Sequence, residues 1–204
     1  MYRLVKGTDT VDSALSKRRN PRSQRAHDAA LLAASELLEE GGLPAATVDA
    51  ISERSGVSKA TLYKHWPNRT AIAAEAFGQR MAEAIPLPDT GTAVGDFTEQ
   101  VRLVSLFYAS HAGTIFAQLL ADGVFNPESG AFFREFFLSG RREAIRELWE
   151  RALARGEVKD NIDVETATDI LFGPLIFRLM SGHAPLNDQE AANIAFAALH
   201  GLMK

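Results

Sequence analysis

The chain predicts an all-α fold of about nine helices. Apolar residues recur at spacings of three and four through most of its 204 residues. No segment alternates convincingly at period two, and no internal repeat is evident. Hydroxyl and amide residues precede the periodic runs, while glycine or proline follows them, so the starts and stops of helices stand in the sequence itself.

Residues 1–22 show no period and end in Asn20-Pro21, which predicts a mobile arm. From about Ser23 a helix begins, with Ala30, Ala33, Ala34, Leu37 and Leu38 on one apolar face. Gly41, Gly42 and Pro44 stop it. Thr47 caps a second helix that turns Val48 and Ile51 inward and ends at Ser55, with Gly56 suited to a left-handed terminus. Ser58 caps a third, Lys59 to about His65, which Pro67 forbids to continue. Asn68 caps a fourth, roughly Arg69 to Ile85, before the break at Pro86, Pro88 and Gly91, taken as the edge of the N-terminal unit.

Two amphipathic runs follow, Val94 to about Ser110 and Gly113 to Asp122. Asn126-Pro127 and Gly130 read as punctuation before a long helix from about Ala131 to Arg155, with Gly156 after its end. Asp163 caps another to about Ser181, in which Pro174 predicts a kink. Asn187 opens the last, with Glu190 in capping-box register.

Net charge is −4, but it is unevenly spread: residues 1–75 balance to +2 and residues 76–204 to −6. A duplex-binding protein needs a basic face, not a basic total. Cysteine is absent, which removes disulfides and thiolate chemistry and agrees with a cytoplasmic protein. There is no run of 18 apolar residues and no secretory h-region, so no membrane partner is expected. The five histidines lack metal-ligand spacing, and neither a GxSxG elbow nor a phosphate-cradling glycine loop occurs. No cofactor, metal or enzymatic activity is expected. The competing class, a helical hydrolase or oxygenase with an aromatic pocket, lacks these patterns.

The segment Thr47 to Trp66, TVDAISERSGVSKATLYKHW, carries the sharpest signal. Two short helices around a tight turn form a helix–turn–helix, in which the first braces the second and the N-terminal residues of the second reach base edges. Leu62 and Ala60 are expected to pack inward. Ser58, Lys59, Thr61, Tyr63, Lys64 and His65 then remain for DNA. Lys59 and Thr61 suit bases; Thr47, Tyr63, Lys64 and His65 suit phosphates. Arg69 lies in the first turn of the fourth helix, where free N–H groups attract anions. Arg18, Arg19, Arg22 and Arg25 form either a minor-groove arm or a solvated tail.

Residues 24–72 resemble the DNA-binding domain of the TetR family of transcriptional regulators. The resemblance rests on Ala34, Gly42, Thr47-Val48, Ile51, Ser55-Gly56-Val57-Ser58, Thr61-Leu62-Tyr63, His65-Trp66-Pro67, Arg69 and Ile72. Departures are Ala60 for a frequent Gly, Trp66 for Phe, Arg69 for Lys, Thr70 for Glu and a small Ala30. The resemblance implies a basic arm over 1–22, a DNA-binding domain over 23–68 and an effector-binding and dimerisation domain over 69–204. It further implies a ligand-responsive repressor, dimeric on a palindromic operator, with double-stranded DNA, a second copy of itself and a small apolar or aromatic effector as partners.

Helices 163–181 and 188–203 would form the interface, with Ile170, Leu171, Leu175, Ile194, Ala197 and Leu199 facing the second copy. The aromatic residues of the C-terminal part, Phe116, Phe132 and Phe136 among them, either line an effector pocket or fill a core. The pocket candidates are Phe107, Tyr108, His111, Phe133, Phe137, Trp149 and Phe177, with Arg178 facing an acidic effector or a carboxylate such as Glu165 or Asp169.

Overall fold

The computed structural model describes residues 21–202. The arm, with Arg18 and Arg19, lies outside the described residues up to position 20. Pro21 and Arg22 are already helical: α1 spans Pro21–Ala45, and proline is at home in a first helical turn. Its helical dihedrals break at Gly41 (φ −153°) and Gly42 (φ 66°), as the glycine pair predicts. The left-handed Gly42 also approaches the body closely. A Cβ there would sit 2.3 Å from Gln118 Oε1, the atom that accepts a 2.7 Å hydrogen bond from Leu43 N.

Three more helices complete the head: α2 (Val48–Ser55), α3 (Lys59–His65) and α4 (Arg69–Ala84). Thr47, Ser58 and Asn68 cap them, each side chain accepting from a backbone N–H three residues on. Ala30, Ala33, Ala34, Leu37 and Leu38 of α1 are buried against Ile51, Leu62, Trp66 and Ile72.

The body holds α5 (Ala93–Ala109), α6 (His111–Phe125), α7 (Pro127–Phe133), α8 (Ser139–Ala154), α9 (Val164–Ser181) and α10 (Asp188–Leu202). The chain bends by 86° between α5 and α6, where Ser110 caps α6. Among the described residues no single helix is long and apolar enough to cross a membrane.

The helix expected from Ala131 instead starts at Pro127. Asn126 accepts from the N–H groups of Glu128 and Ser129, and Pro127 occupies the first turn. Gly130 does not interrupt it, because it packs on Gly123, where a Cβ would fall 2.5 Å from the Gly123 carbonyl oxygen. A π turn, Arg134–Leu138, joins α7 to α8, so the two run as one rod and the described residues form nine rods.

α9 runs unbroken over Val164–Ser181 with the exposed Pro174 inside it. The capping box at Asn187 is half formed. Asn187 accepts from Glu190 N, but the Glu190 carboxylate turns to Arg178 and Asn193.

Asp96 is fully buried at the N-terminus of α5. It accepts from Thr90 N (2.6 Å), Thr90 Oγ1 (2.8 Å) and Arg155 Nη2 (2.9 Å). Burial alone pushes its carboxyl up, but the Thr90 backbone, the Arg155 guanidinium and the Thr90 hydroxyl together hold it below the ordinary range. Asp96→Ala is expected to cost about 2–3 kcal/mol in urea unfolding at neutral pH, since it strands the Arg155 and Thr90 donors. The folded-state pKa is depressed, so this contribution is present above the unfolded value near 4 and is lost as pH falls through the folded one. The gap between wild type and Asp96→Ala is therefore expected to narrow as pH falls below the unfolded value and to close once it passes the depressed folded one.

Candidate DNA interface and ligand cavity

The turn between α2 and α3 is held by hydroxyl groups. Ser52 Oγ donates to Val57 O (2.7 Å), and Ser55 Oγ donates to Ile51 O (2.6 Å) while accepting from Val57 N (3.2 Å). Gly56 takes φ 68°, a conformation a side chain would strain. Leu62 is the buried residue of α3, and Lys59, Ala60, Tyr63 and Lys64 are exposed, with Thr61 half-buried. The expectation that Ala60 packs inward is corrected. It precedes Leu62 by two residues, about 200° around the helix, and so faces outward.

Ser58 Oγ lies 3.0 Å from Thr61 Oγ1 while capping Thr61 N. Lys59 pairs with Asp49 of α2, which raises its pKa and fixes the cation at the start of α3. Both partners are more than half exposed, so the pair is weak enough to open toward a phosphate or a base. Arg54 is committed to bracing: it bonds Glu40 of α1 through two contacts of 2.6 and 2.8 Å. Thr47 Oγ1 accepts from Ala50 N (3.1 Å), and Arg69 is half-buried in the first turn of α4.

His65 is half-buried, 3.3 Å from Ser23 Oγ and in ring contact with His27 and Trp66. That contact sets the C-terminal end of α3 beside the first turn of α1, where Arg22 and Arg25 are exposed. The exposed residues of α3 and the described part of the basic run thus border one surface.

The body contains a cavity of about 170 Å³ among α4, α5, α6, α8, α9 and the π turn. Tyr108 and Phe137 line it. The other expected pocket residues do not. Phe133 stacks behind Phe137 (5.0 Å), Phe107 packs on Phe77 (5.7 Å), and Trp149 fills the core against Phe97 (6.0 Å). His111 is exposed at the first position of α6, and Phe177 is 64 % exposed beside His183. Arg178 pairs with Glu190 (2.6 Å) and donates to Pro185 O (3.2 Å), not to Glu165 or Asp169.

Phe116, one of the C-terminal aromatic residues, lines the cavity too, while Arg141, Ile145 and Phe172 line it and were not among the expected site residues. A signal was present: Phe137, Arg141 and Ile145 follow one another at intervals of four, and therefore share a helix face.

The interface residues also divide. Leu171 and Leu175 are wholly buried and Leu199 nearly so, within the chain's own core, and Ile194 is half-buried. Leu171 and Leu175 have no surface left to offer a second copy and Leu199 almost none, whereas Ile194 keeps some. Ile170 and Ala197 are exposed as expected, and Phe177, Met180 and Phe196 join them.

Comparison with known proteins agrees with this architecture. Residues 30–76 match the N-terminal model of the bacterial regulatory proteins of the TetR family, and residues 87–198 match a tetracyclin repressor-like C-terminal domain. The chain is 35 % identical over 187 residues to the HTH-type transcriptional regulator YdeS of Bacillus subtilis (strain 168), covering 92 % of this chain and 94 % of that protein. It is 29 % identical over 169 residues to the HTH-type transcriptional regulator Mb1581 of Mycobacterium bovis, covering 82 % and 83 %. The crystal structure of the TetR family transcription regulator SCO0332 superposes with a TM-score of 0.80 at 26 % identity, over 87 % of this chain and 98 % of that one. With a matching head, a matching body and a relative spanning nearly its whole length, the chain belongs to the TetR family and is a DNA-binding transcriptional regulator.

Proposed function

We propose that the protein is a cytoplasmic, homodimeric repressor that leaves a palindromic operator when a small effector fills the body cavity. The observation that carries this reading is the placement of α6. Its Phe116 forms part of the cavity wall. Two residues on, Gln118 accepts from Leu43 N of the head (2.7 Å), and further along Asp122 accepts from Thr70 Oγ1 at the start of α4 (2.9 Å). A shift of α6 at the cavity therefore acts on the end of α1 and the start of α4, which flank the helix–turn–helix. An effector that fits one position of α6 better than the other biases the spacing of paired heads, and only that difference in affinity does so.

Recognition would use Ser58, Lys59, Thr61, Tyr63 and Lys64 in the major groove, with Thr47, His65 and Arg69 near phosphates and Arg18, Arg19, Arg22 and Arg25 extending the basic face. Two heads would enter successive grooves roughly 34–36 Å apart. Fluorescence anisotropy of a labelled duplex tests this part of the reading. The logarithm of affinity should fall linearly with that of salt, with a slope of several units if each head neutralises several phosphates. A flat response between low and moderate salt contradicts it.

Dimerisation would use the outer stripe of α9 and α10. Ile170, Phe177 and Met180 lie at helical spacing, and Phe196 of α10 is 65 % exposed. In a closed two-fold pair each residue is met twice. Phe177→Glu with Phe196→Glu is expected to weaken the dimer by about 100-fold or more, as loss of buried aromatic anchors does. Analytical ultracentrifugation checks it, and an unchanged dimer would move the interface elsewhere.

A further inference from the structure

The body cavity holds a cation without a counter-ion. Arg141, on the first turn of α8, lines it, and among the described residues no carboxylate or carbonyl accepts from its guanidinium. Its side chain is half-buried, and its nitrogens are not among the fully enclosed polar atoms, so they keep accessible surface. Burial pushes its pKa down, yet a guanidinium stays charged at any physiological pH. The neighbouring Arg142 differs: Glu165 (2.5 Å) and Asp169 take its N–H groups. Asp169, the acid in the cavity wall, is thereby committed. Arg141, Arg142 and Asp169 leave the lining one positive charge in excess.

Tyr108 supplies a second donor. It is 6 % exposed, its hydroxyl has no hydrogen-bond partner among the described residues, and it lies near enough to Arg141 to feel its charge. Burial raises its pKa, so it stays protonated and able to donate. The Thr168 hydroxyl spends its hydrogen on Val164 O (2.8 Å). Most of the remaining wall is apolar, including Val104, Phe116, Ile145 and Phe172. Two unsatisfied donors, one of them charged, thus face an apolar space. Its volume compares with the roughly 150 Å³ apolar cavity that holds benzene.

We infer that the effector is a small organic carboxylate, its anionic end bound by Arg141 and Tyr108 and its apolar body about one ring in size. The inference deepens the effector reading above and rests on it. A half-buried cation without a partner is only partly solvated, and a carboxylate matches the guanidinium fork through two parallel bonds.

The test uses the full chain with benzoate and phenylacetate as probes and their uncharged amides as controls, read by calorimetric titration, thermal melting and operator anisotropy. The acids should bind and raise the melting temperature, and the amides should bind at least about tenfold more weakly, the factor expected for a lost charge-assisted hydrogen bond. Arg141→Met should lower the affinity for the acids by roughly ten- to a hundredfold, and Tyr108→Phe by about three- to tenfold. Without any probe Arg141→Met should melt no lower than wild type, because it removes an unpaired, half-buried charge, and Arg141→Gln provides a second variant. Amides that bind as well as acids, an Arg141→Met protein that keeps its affinity, or no binding of either acid overturns the inference. Amides that bind and release DNA would leave the effector reading standing and sink the anionic end alone. Acids that bind through Arg141 without altering operator affinity would do the reverse.

Discussion

Lys59→Ala combined with Tyr63→Ala is expected to weaken operator binding by roughly 100- to 1000-fold while leaving the fold intact. Lys59 stands at the start of α3, held outward by Asp49, and Tyr63 lies one turn on, 55 % exposed. Neither contributes to the head's interior, where Leu62 and Trp66 supply the apolar contacts. A lost base contact is worth about 1–3 kcal/mol, and a lost phosphate contact somewhat less. Each is counted twice on a two-fold site, so the lower end of these values already gives the stated range. The two losses should be distinguishable. Lys59→Ala alone should relax sequence preference, whereas Tyr63→Ala should lower affinity almost equally for all duplexes. Competition titrations against operator and scrambled DNA measure this, with thermal melts within about 0.5 kcal/mol of wild type as the control for folding.

Trp66→Ala is expected to destabilise the head by about 3–5 kcal/mol, the range for truncating a large buried aromatic. Trp66 is 1 % exposed, stacks on His27 at 4.6 Å and donates from Nε1 to Glu75 (2.6 Å). Glu75 also meets His27 Nε2 at 3.2 Å. One side chain therefore ties the end of α3 to α1 and α4. Removing it leaves a cavity and a half-buried carboxylate short of a donor. Trp66→Phe keeps the ring but not the N–H, and should cost about 1–2 kcal/mol. The chain has two tryptophans, so in either variant Trp149 alone reports on the body. Its emission should hold at denaturant concentrations where DNA binding is already gone. Coincident loss of both signals would mean that head and body unfold as one unit.

The head was legible because its determinants are local. A cap bonds an N–H two or three residues away, and a left-handed glycine answers to its own dihedral, so Thr47, Ser58, Asn68 and Gly56 could be placed without knowing what packs on them. The exposed face of α3 followed from seven residues and one period, except that Ala60 was placed inward and lies outward. The body was less legible because its contacts are distant in sequence. Phe137 and Phe177 are the same residue type on periodic helices, yet one lines a cavity and the other faces outward. Leu171 and Ile170 are neighbours of similar hydropathy, one fully buried and one 44 % exposed. α9 is apolar around much of its circumference, so no stripe separates core from interface. Arg178 was recognised as a cation in an apolar helix, but its partner Glu190 lies on the next helix. The charge that matters in the cavity, Arg141, was hidden in a run of arginines and glutamates that reads as a solvated face.

Selection of binding sites from a random-sequence duplex pool by the full chain, followed by sequencing, tests the central claim most directly. An inverted repeat should emerge whose half-sites are centred about one helical turn apart. The enrichment should disappear when the selection is repeated with Lys59→Ala/Tyr63→Ala protein. A pool that stays random with wild-type protein, or a motif that survives loss of both side chains, would contradict recognition by α3.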